Sequence, residues 1–332
     1  MKASQSAIMA LLLLVSGLYA SDASAAVTPL SSCTTISVAG SYQLTRILSA
    51  AGDCLKVAAS NVTIDLNGFA INGNRTGSAL TDLAVARSGL TVTNGTLNAF
   101  RTGVNFAKSS SVKIQHLRVL NMAFDGIDVG PNSEVRNTQS LSNAHDGIAI
   151  SDNTSIVSNL VKGNGNAGID GGNNCLIEEN NVIGNGLTGI GHGINTGSQC
   201  SIHGNLSSGN RGSGIVSGKG STVSDNATTG NGIAGIFAGP GSTITRNDAS
   251  YNTAYGILSN GESSITSNTA SRNRGKGIFG YIGDLLNGNT ASSNSQDGFY
   301  VTCPASLIGN VAQGNGAAYT LVTSGCPTWN NS

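Results

Sequence analysis

The stretch Gly147-Ile148-Ala149-Ile150-Ser151-Asp152-Asn153-Thr154-Ser155-Ile156-Val157-Ser158-Asn159-Leu160-Val161-Lys162-Gly163-Asn164-Gly165-Asn166-Ala167 is 21 residues long, and another Gly-Ile pair, Gly168-Ile169, follows at once. Working outward from it, the opening glycine recurs at Gly126, Gly147, Gly168, Gly193, Gly214, Gly235, Gly256, Gly277 and Gly298. Every step is 21 residues except Gly168 to Gly193, which is 25. The residue after each glycine is Ile127, Ile148, Ile169, Ile194, Ile215, Ile236, Ile257, Ile278 or Phe299. Nine positions past the glycines stand Val135, Ile156, Ile177, Ile202, Val223, Ile244, Ile265, Leu286 and Leu307. Twelve past stand Thr138 and then eight asparagines, Asn159 to Asn310; seventeen past stand nine, Asn143 to Asn315. Columns that hold register through nine coils define an internal repeat.

A turn of this length is too short for a helix plus a strand, and no 3.6-residue apolar pattern occurs. Short runs such as Gly-Ile-Phe alternate inward and outward as strands do. Asn tolerates left-handed backbone and suits the corners between strands. Stacked Asn amides can also satisfy one another along a ladder. One coil cannot bury its apolar face alone, so each pairs in parallel with the next at about 4.8 Å. The expected fold is an all-β solenoid, a parallel β-helix of about twelve coils and roughly 60 Å. Earlier coils, around Gly103-Val104 and around Val62, Ile64 and Leu66, are spaced more loosely.

Gly makes up 46 of the 332 residues and charged residues 10%. Flexible linkers share such a composition, but the regular return of Ile and Val argues for a packed core. Zero net charge offers no basic field for nucleic acid. Lys2, the apolar residues 7–18 and the small-x-small run Ala23-Ser24-Ala25 read as an export signal over residues 1–25, with secretion to the periplasm or the medium expected. No later segment is apolar enough to span a membrane. Open solenoid ends need covering, so residues 26–60 are expected to form an N-terminal cap, 61–316 the β-helix and 317–332 a C-terminal cap. The six cysteines fall in three close pairs: Cys33 with Cys54, Cys175 with Cys200, and Cys303 with Cys326. Nearest-neighbour disulfides are expected at the two ends. The middle pair stacks on adjacent coils, either bridged or as two thiols.

Two further segments, Gly52-Asp53-Cys54-Leu55-Lys56-Val57 and Asn61-Val62-Thr63-Ile64-Asp65-Leu66-Asn67-Gly68, complete a resemblance. Together with the Gly-Ile and Asn columns, the chain resembles exported bacterial proteins carrying right-handed parallel β-helix repeats, within the pectate-lyase-like superfamily. That resemblance implies a right-handed coil. It leaves the activity open, because the superfamily holds lyases, hydrolases, epimerases, tailspikes and binding proteins without catalysis.

Two columns hold the candidate chemistry. Two past the glycine lie Asn105, Asp128, Ala149, Asp170 and Asn195, and then Val216, Phe237, Leu258, Phe279 and Tyr300. Just before the glycine lie Thr102, Asp125, Asp146, Ala167 and His192, with Arg101 and His145 beside them. The charge of this second column suggests an exposed corner. Asp125 and Asp146 sit about 5 Å apart by backbone, near the carboxyl spacing of retaining glycosidases, and Asp128 and Asp170 about 9.6 Å apart. Crowded carboxylates raise one another's pKa. They also offer oxygens for Ca²⁺, with Asn105 or Asn195 as further ligands. His145 or His192 would serve as a base, and Arg101 would hold a sugar carboxylate. His192 lies in the four-residue insertion, and Gly191-His192-Gly193 matches one short motif of polygalacturonases, whose Asn-Thr-Asp and Asp-Asp motifs are absent. Against all this, Asp-Gly is an ordinary turn signal. The stripe Phe237, Leu258, Phe279 and Tyr300 reads as packing under a loop or against another subunit in preference to sugar binding.

The sequence therefore points to a secreted protein that binds a polysaccharide or cell-surface glycan on its first-strand face, as a lyase, hydrolase or epimerase. The competing expectation is a noncatalytic surface or adhesion rod.

Overall fold

The computed structural model describes residues 26–332; the export-signal segment, residues 1–25, lies outside them. Regular structure in the described residues is β throughout, and no helix there is long and apolar enough to cross a membrane. Each coil contributes three short strands, as Ile127–Val129, Glu134–Arg136 and Gln139–Leu141 do in the coil opened by Gly126. The first strand of every coil joins a parallel sheet of 14 strands; the other two build two ladders within a sheet of 26. We call these the short and the long sheet.

The inward columns form the core. Ile148 pairs with Ile169, Ile169 with Ile194, and Ile194 with Ile215 on the short sheet, and all four are fully buried. Facing them, Val135, Ile156, Ile177 and Ile202 stack on the long sheet, also with zero exposure. Each such side chain contributes about 1.5–3 kcal/mol by leaving water. The third wall is smaller, with Ala249, Ala270 and Ala291 in register.

The Asn columns behave differently from the corner role expected of them. The left-handed residue is the one before each ladder Asn, for example Ser158, Glu179 and Asp225. The Asn itself turns inward, buried. Asn226 Oδ1 accepts from both the backbone N–H and the Nδ2 of Asn205, while Asn226 Nδ2 donates to the Ile202 carbonyl and to Asn247 Oδ1. The amides thus satisfy backbone groups that no strand partner reaches.

The opening glycines are explained by the same ladder. A Cβ on Gly277 would lie 2.6 Å from Asn294 Nδ2 and 2.6 Å from the Gly298 carbonyl oxygen. Each glycine makes room for the Asn seventeen residues later, so the two columns are one device.

Both segments expected to be caps are coils themselves. Val27–Leu30 pairs with Gly40–Leu44 and Thr34–Ile36 with Leu55–Val57. At the other end Ala317–Val322 extends the short sheet, and Thr328–Trp329 extends the long one. No break in pairing falls at residue 60 or 317. These coils raise the count from the expected twelve to fourteen rungs of the short sheet, a rod of roughly 65 Å. Disulfides join Cys33 to Cys54, Cys175 to Cys200 and Cys303 to Cys326, with Cα–Cα distances of 4.5, 4.5 and 5.2 Å. The middle pair is therefore bridged like the others.

Candidate functional site

On the outward face of the short sheet, Asn105 pairs with Asp128, Asp128 with Ala149, Ala149 with Asp170, and Asp170 with Asn195. All are half-buried by neighbouring side chains. Asn195 Nδ2 donates to Asp170 Oδ1 at 2.6 Å. Burial, followed by the charges of Asp125, Asp82 and Asp146, pushes the Asp128 carboxyl up to about 6. Asp82 was not visible as a participant, because it lies in a coil outside the strict period. It is buried and accepts the Ser109 hydroxyl.

The column before the glycines is not the exposed corner its charge suggested. Asp125 and Asp146 are 5% and 4% exposed. Each carboxylate caps the next coil: Asp125 Oδ1 accepts the Asp146 N–H at 3.1 Å, and Asp146 Oδ1 accepts the Ala167 N–H at 2.8 Å and Asn166 Nδ2 at 2.8 Å. Short polar side chains turned along the ladder satisfy amides here as the Asn columns do elsewhere. His192 has the same task, its Nδ1 accepting the Ser213 N–H at 3.0 Å. That bond puts its ring proton on Nε2, and burial, opposed by Asp170, lowers its pKa.

His145 joins the two carboxylates. Its Nδ1 lies 2.7 Å from Asp125 Oδ1 and 3.1 Å from Asp146 Oδ2. Burial alone would lower its pKa, but the hydrogen bond to Asp125 and the charges of Asp146, Asp125 and Asp170 outweigh burial and raise it. Burial and the Asp170 charge hold the Asp146 carboxyl up at about 6, against the pull of His145. Arg101 reaches the cluster indirectly. Its guanidinium lies 4.7 Å from the Phe124 ring centroid, and that ring stacks on His145 at 4.4 Å and 6°. Phe124 was legible one position from the Asp column, between Arg101 and His145, but its role as a spacer shows only in three dimensions.

Further along the same face the aromatic stripe is in register: Phe237 beside Leu258, Leu258 beside Phe279, Phe279 beside Tyr300. Phe279 packs edge-on to Tyr300 at 4.8 Å and stacks on Tyr281 at 4.9 Å. Lys276 Nζ sits 3.5 Å from the Tyr300 centroid. Phe237, Phe279 and Tyr300 are half-buried, and Tyr281 is exposed. Three surface depressions, of about 400, 300 and 300 Å³, lie away from the acidic cluster, which itself sits on the open sheet face.

Two family models divide the chain between them. That of the right-handed beta helix region matches residues 35–170, and that of the periplasmic copper-binding protein NosD matches residues 170–331. The chain has the right-handed parallel β-helix fold. This β-helix protein is similar in structure to the A-module of the mannuronan C-5 epimerase AlgE6 of Azotobacter vinelandii, at 17% identity over 88% of this chain and 90% of that one, with a TM-score of 0.60. It is also similar to a double mutant of the periplasmic alginate epimerase AlgG, at 14% identity over 88% and 76%, with a TM-score of 0.50. At these identities the likeness concerns the fold alone. No curated protein matches the chain.

The donor set of the second half does not fit copper. Residues 170–331 contain no Met, and their four cysteines are all in disulfides. Of their two histidines, His192 is bonded to Ser213, and His203 meets Ser224 and Asp225. Soft sulfur ligands and a paired imidazole set are missing. Among the described residues the one group of three metal-ligating side chains is Asp125, His145 and Asp146, with donor atoms within 4.8 Å of one another.

The acidic face costs the β-helix protein stability. Asp128 and Asp146 titrate at about 6 in the fold against 3.8 ordinarily. Between those values the folded chain binds more protons than the unfolded one, so stability falls as pH rises through that window. The raised His145 acts in the same direction. Asp128→Asn is therefore expected to stabilise the protein by about 1–2 kcal/mol near pH 8, after discounting for partial exposure, and to change little near pH 4. Calorimetric melts at the two pH values check this; equal shifts at both would contradict the assigned burial and repulsion.

Proposed function

We propose that the protein binds an acidic polysaccharide lengthwise along the outward face of the short sheet and performs proton transfer on it at Asp125, Asp128, His145 and Asp146. The observation that carries this is His145 Nδ1 held between Asp125 Oδ1 and Asp146 Oδ2, beside an Asp128 carboxyl lifted to about 6. An imidazole whose Nδ1–H is held by carboxylates keeps Nε2 for a substrate and is a stronger base for it. Asp128 supplies a carboxylic acid that is partly neutral near pH 6 and able to donate. Arg101 supplies the cation for a sugar carboxylate.

This arrangement favours abstraction of a proton beside a carboxylate, the chemistry of lyases and epimerases, over hydrolysis. Asp125 and Asp146 both turn to one imidazole and to backbone amides, whereas a glycosidase sets two carboxyl groups on either side of one bond. The likeness to a mannuronan C-5 epimerase module makes mannuronan the first substrate to try. The aromatic stripe continues the same face and supplies ring surfaces for further sugar units. Three disulfides favour folding in an oxidising compartment outside the cytoplasm.

The test is a panel of mannuronan, polygalacturonate and a neutral glucan, with and without Ca²⁺. It follows unsaturated product, new reducing ends, solvent-hydrogen exchange into the sugar, and binding. Turnover is expected on an acidic polymer. Asp125→Asn/Asp146→Asn should keep the fold and lose that turnover, and His145→Gln should lose roughly a hundredfold or more. Full activity in the folded double variant would remove the cluster from the chemistry.

A second reading has its own support. Asp125 and Asp146 each cap an amide of the next coil, which is a structural task needing no catalysis. Binding across the panel without turnover would favour a noncatalytic glycan-binding rod, with the stripe free to dock a second copy.

A further inference from the structure

Sixteen residues past each opening glycine, just before the second Asn column, every coil turns through left-handed backbone. Seven of the nine coils place Gly or Ser there; two neighbouring coils place Tyr251 and Arg272, at φ 58° and 54°. Left-handed backbone crowds any Cβ and disfavours a bulky side chain. Core burial does not offset this, since Tyr251 is 56% exposed and Arg272 is exposed too. The other left-handed corner also carries large residues on adjacent coils, but there Arg246 and Asp225 pair bidentately at 2.7 and 2.8 Å. Arg272 has no carboxylate within ion-pair distance among the described residues. Its guanidinium lies 5.5 Å from the Tyr251 ring centroid. Two large side chains therefore occupy a costly position in successive coils with one exposed, weak cation–ring contact as their structural return.

They border a groove of about 300 Å³ on the long sheet, walled by Ala227, the hydroxyl residues Thr228, Thr229, Ser250 and Ser271, and Asp248, whose carboxylate accepts the Ser250 hydroxyl. Arg272 lies one coil after Tyr251, and on the other side is the preceding coil. That coil has Gly230 at the same position, where a Cβ would meet no atom within 4 Å.

A flat ring face, a bank of hydroxyls and an unpaired planar cation match the three parts of a carboxylated pyranose. Its C–H face lies on the ring, its hydroxyls donate to Asp248 and exchange hydrogen bonds with Thr and Ser, and its carboxylate, at the far side from Asp248, takes two parallel N–H···O bonds from the guanidinium. We propose that this groove is a binding subsite for a uronate unit of a glycan chain. It lies on the long sheet, about five coils or roughly 25 Å along the rod from the Asp125–His145–Asp146 cluster, and does not depend on the chemistry assigned there. The site would anchor a glycan outside the reacting face.

The experiment titrates the full protein with trigalacturonate, and separately with neutral maltotriose, following the Arg272 Nε–H and the backbone N–H of residue 251 by NMR. Both signals are expected to move saturably with trigalacturonate and to stay still with maltotriose. Tyr251→Gly and Arg272→Gly insert the residue that other coils use. Each should melt at or above the wild-type temperature while weakening the remaining local response roughly tenfold or more. His145→Gln should leave the response intact, which separates this site from the proposed reaction site. Absence of a shift with trigalacturonate, an equal shift with maltotriose, or undiminished saturation in either glycine variant would overturn the proposal.

Discussion

Asn226→Ala is expected to destabilise the protein by about 3–5 kcal/mol, a large effect for one small polar side chain. Asn226 lies in mid-ladder and is 2% exposed. Truncation removes the bonds its Oδ1 accepts from the Asn205 N–H and Nδ2, and those its Nδ2 donates to the carbonyls of Ile202 and Ser224 and to Asn247 Oδ1. The Asn205 N–H is left buried without an acceptor, and the Ile202 carbonyl loses its side-chain donor. Buried groups stripped in this way cost about 1–3 kcal/mol each, because water cannot replace the partner. The measurement is a denaturant titration of both proteins. A midpoint unchanged within error would mean that water reaches the ladder.

Gly277→Ala is expected to cost about 3 kcal/mol or more, or to prevent folding. The backbone there is not left-handed, so the penalty is one of space. The added Cβ would lie 2.6 Å from both Asn294 Nδ2 and the Gly298 carbonyl oxygen, and 3.0 Å from Ala291 Cβ. One neighbour is backbone of the next coil and another is a fully committed ladder amide, so neither can yield cheaply. Expression and thermal melting of the variant decide the point. Gly230→Ala is the useful contrast: its Cβ meets nothing within 4 Å, and its cost comes from a φ of 65° alone. Equal losses at the two positions would refute the steric account of the opening glycines.

These two predictions mark where the sequence was legible and where it was not. Strict spacing placed the Ile, Val and Asn columns, because a parallel ladder carries one residue type through many coils. It did not reveal why glycine opens each coil, since the Asn that needs the space is seventeen residues away. It assigned the left-handed corner to Asn when that geometry belongs to the preceding residue, and propensity alone cannot separate two adjacent positions. Two coils were missed at the ends, where the need to cover open edges makes segments read as caps although they pair as coils themselves. At the acidic site, register found Asp125, Asp128, His145, Asp146 and Asp170 as neighbours. It does not reveal the burial of Asp125 and Asp146, because a charge suggests solvent while backbone amides of the next coil are equally good partners. Asp82 was out of reach in an irregular coil. Tyr251 and Arg272 stood in plain register, but their significance depends on knowing that the position is left-handed.

The three disulfides have a mechanical consequence. A stack held by neighbours opens most readily at its ends, where a coil has one partner in place of two. Here the first, middle and last bridges each rivet one coil to the next. A terminal coil that peels away stays tethered, and its return is an intramolecular event at high effective concentration. Fraying is thereby suppressed where it would otherwise begin, and the weak points move inward to the two long unriveted spans. One runs from Cys54 to Cys175 and contains the Asp125–His145–Asp146 cluster. The other runs from Cys200 to Cys303 and contains the Tyr251–Arg272 groove. The rod is clamped at its tips and at its middle, and both faces assigned to glycans lie in the stretches left free to breathe.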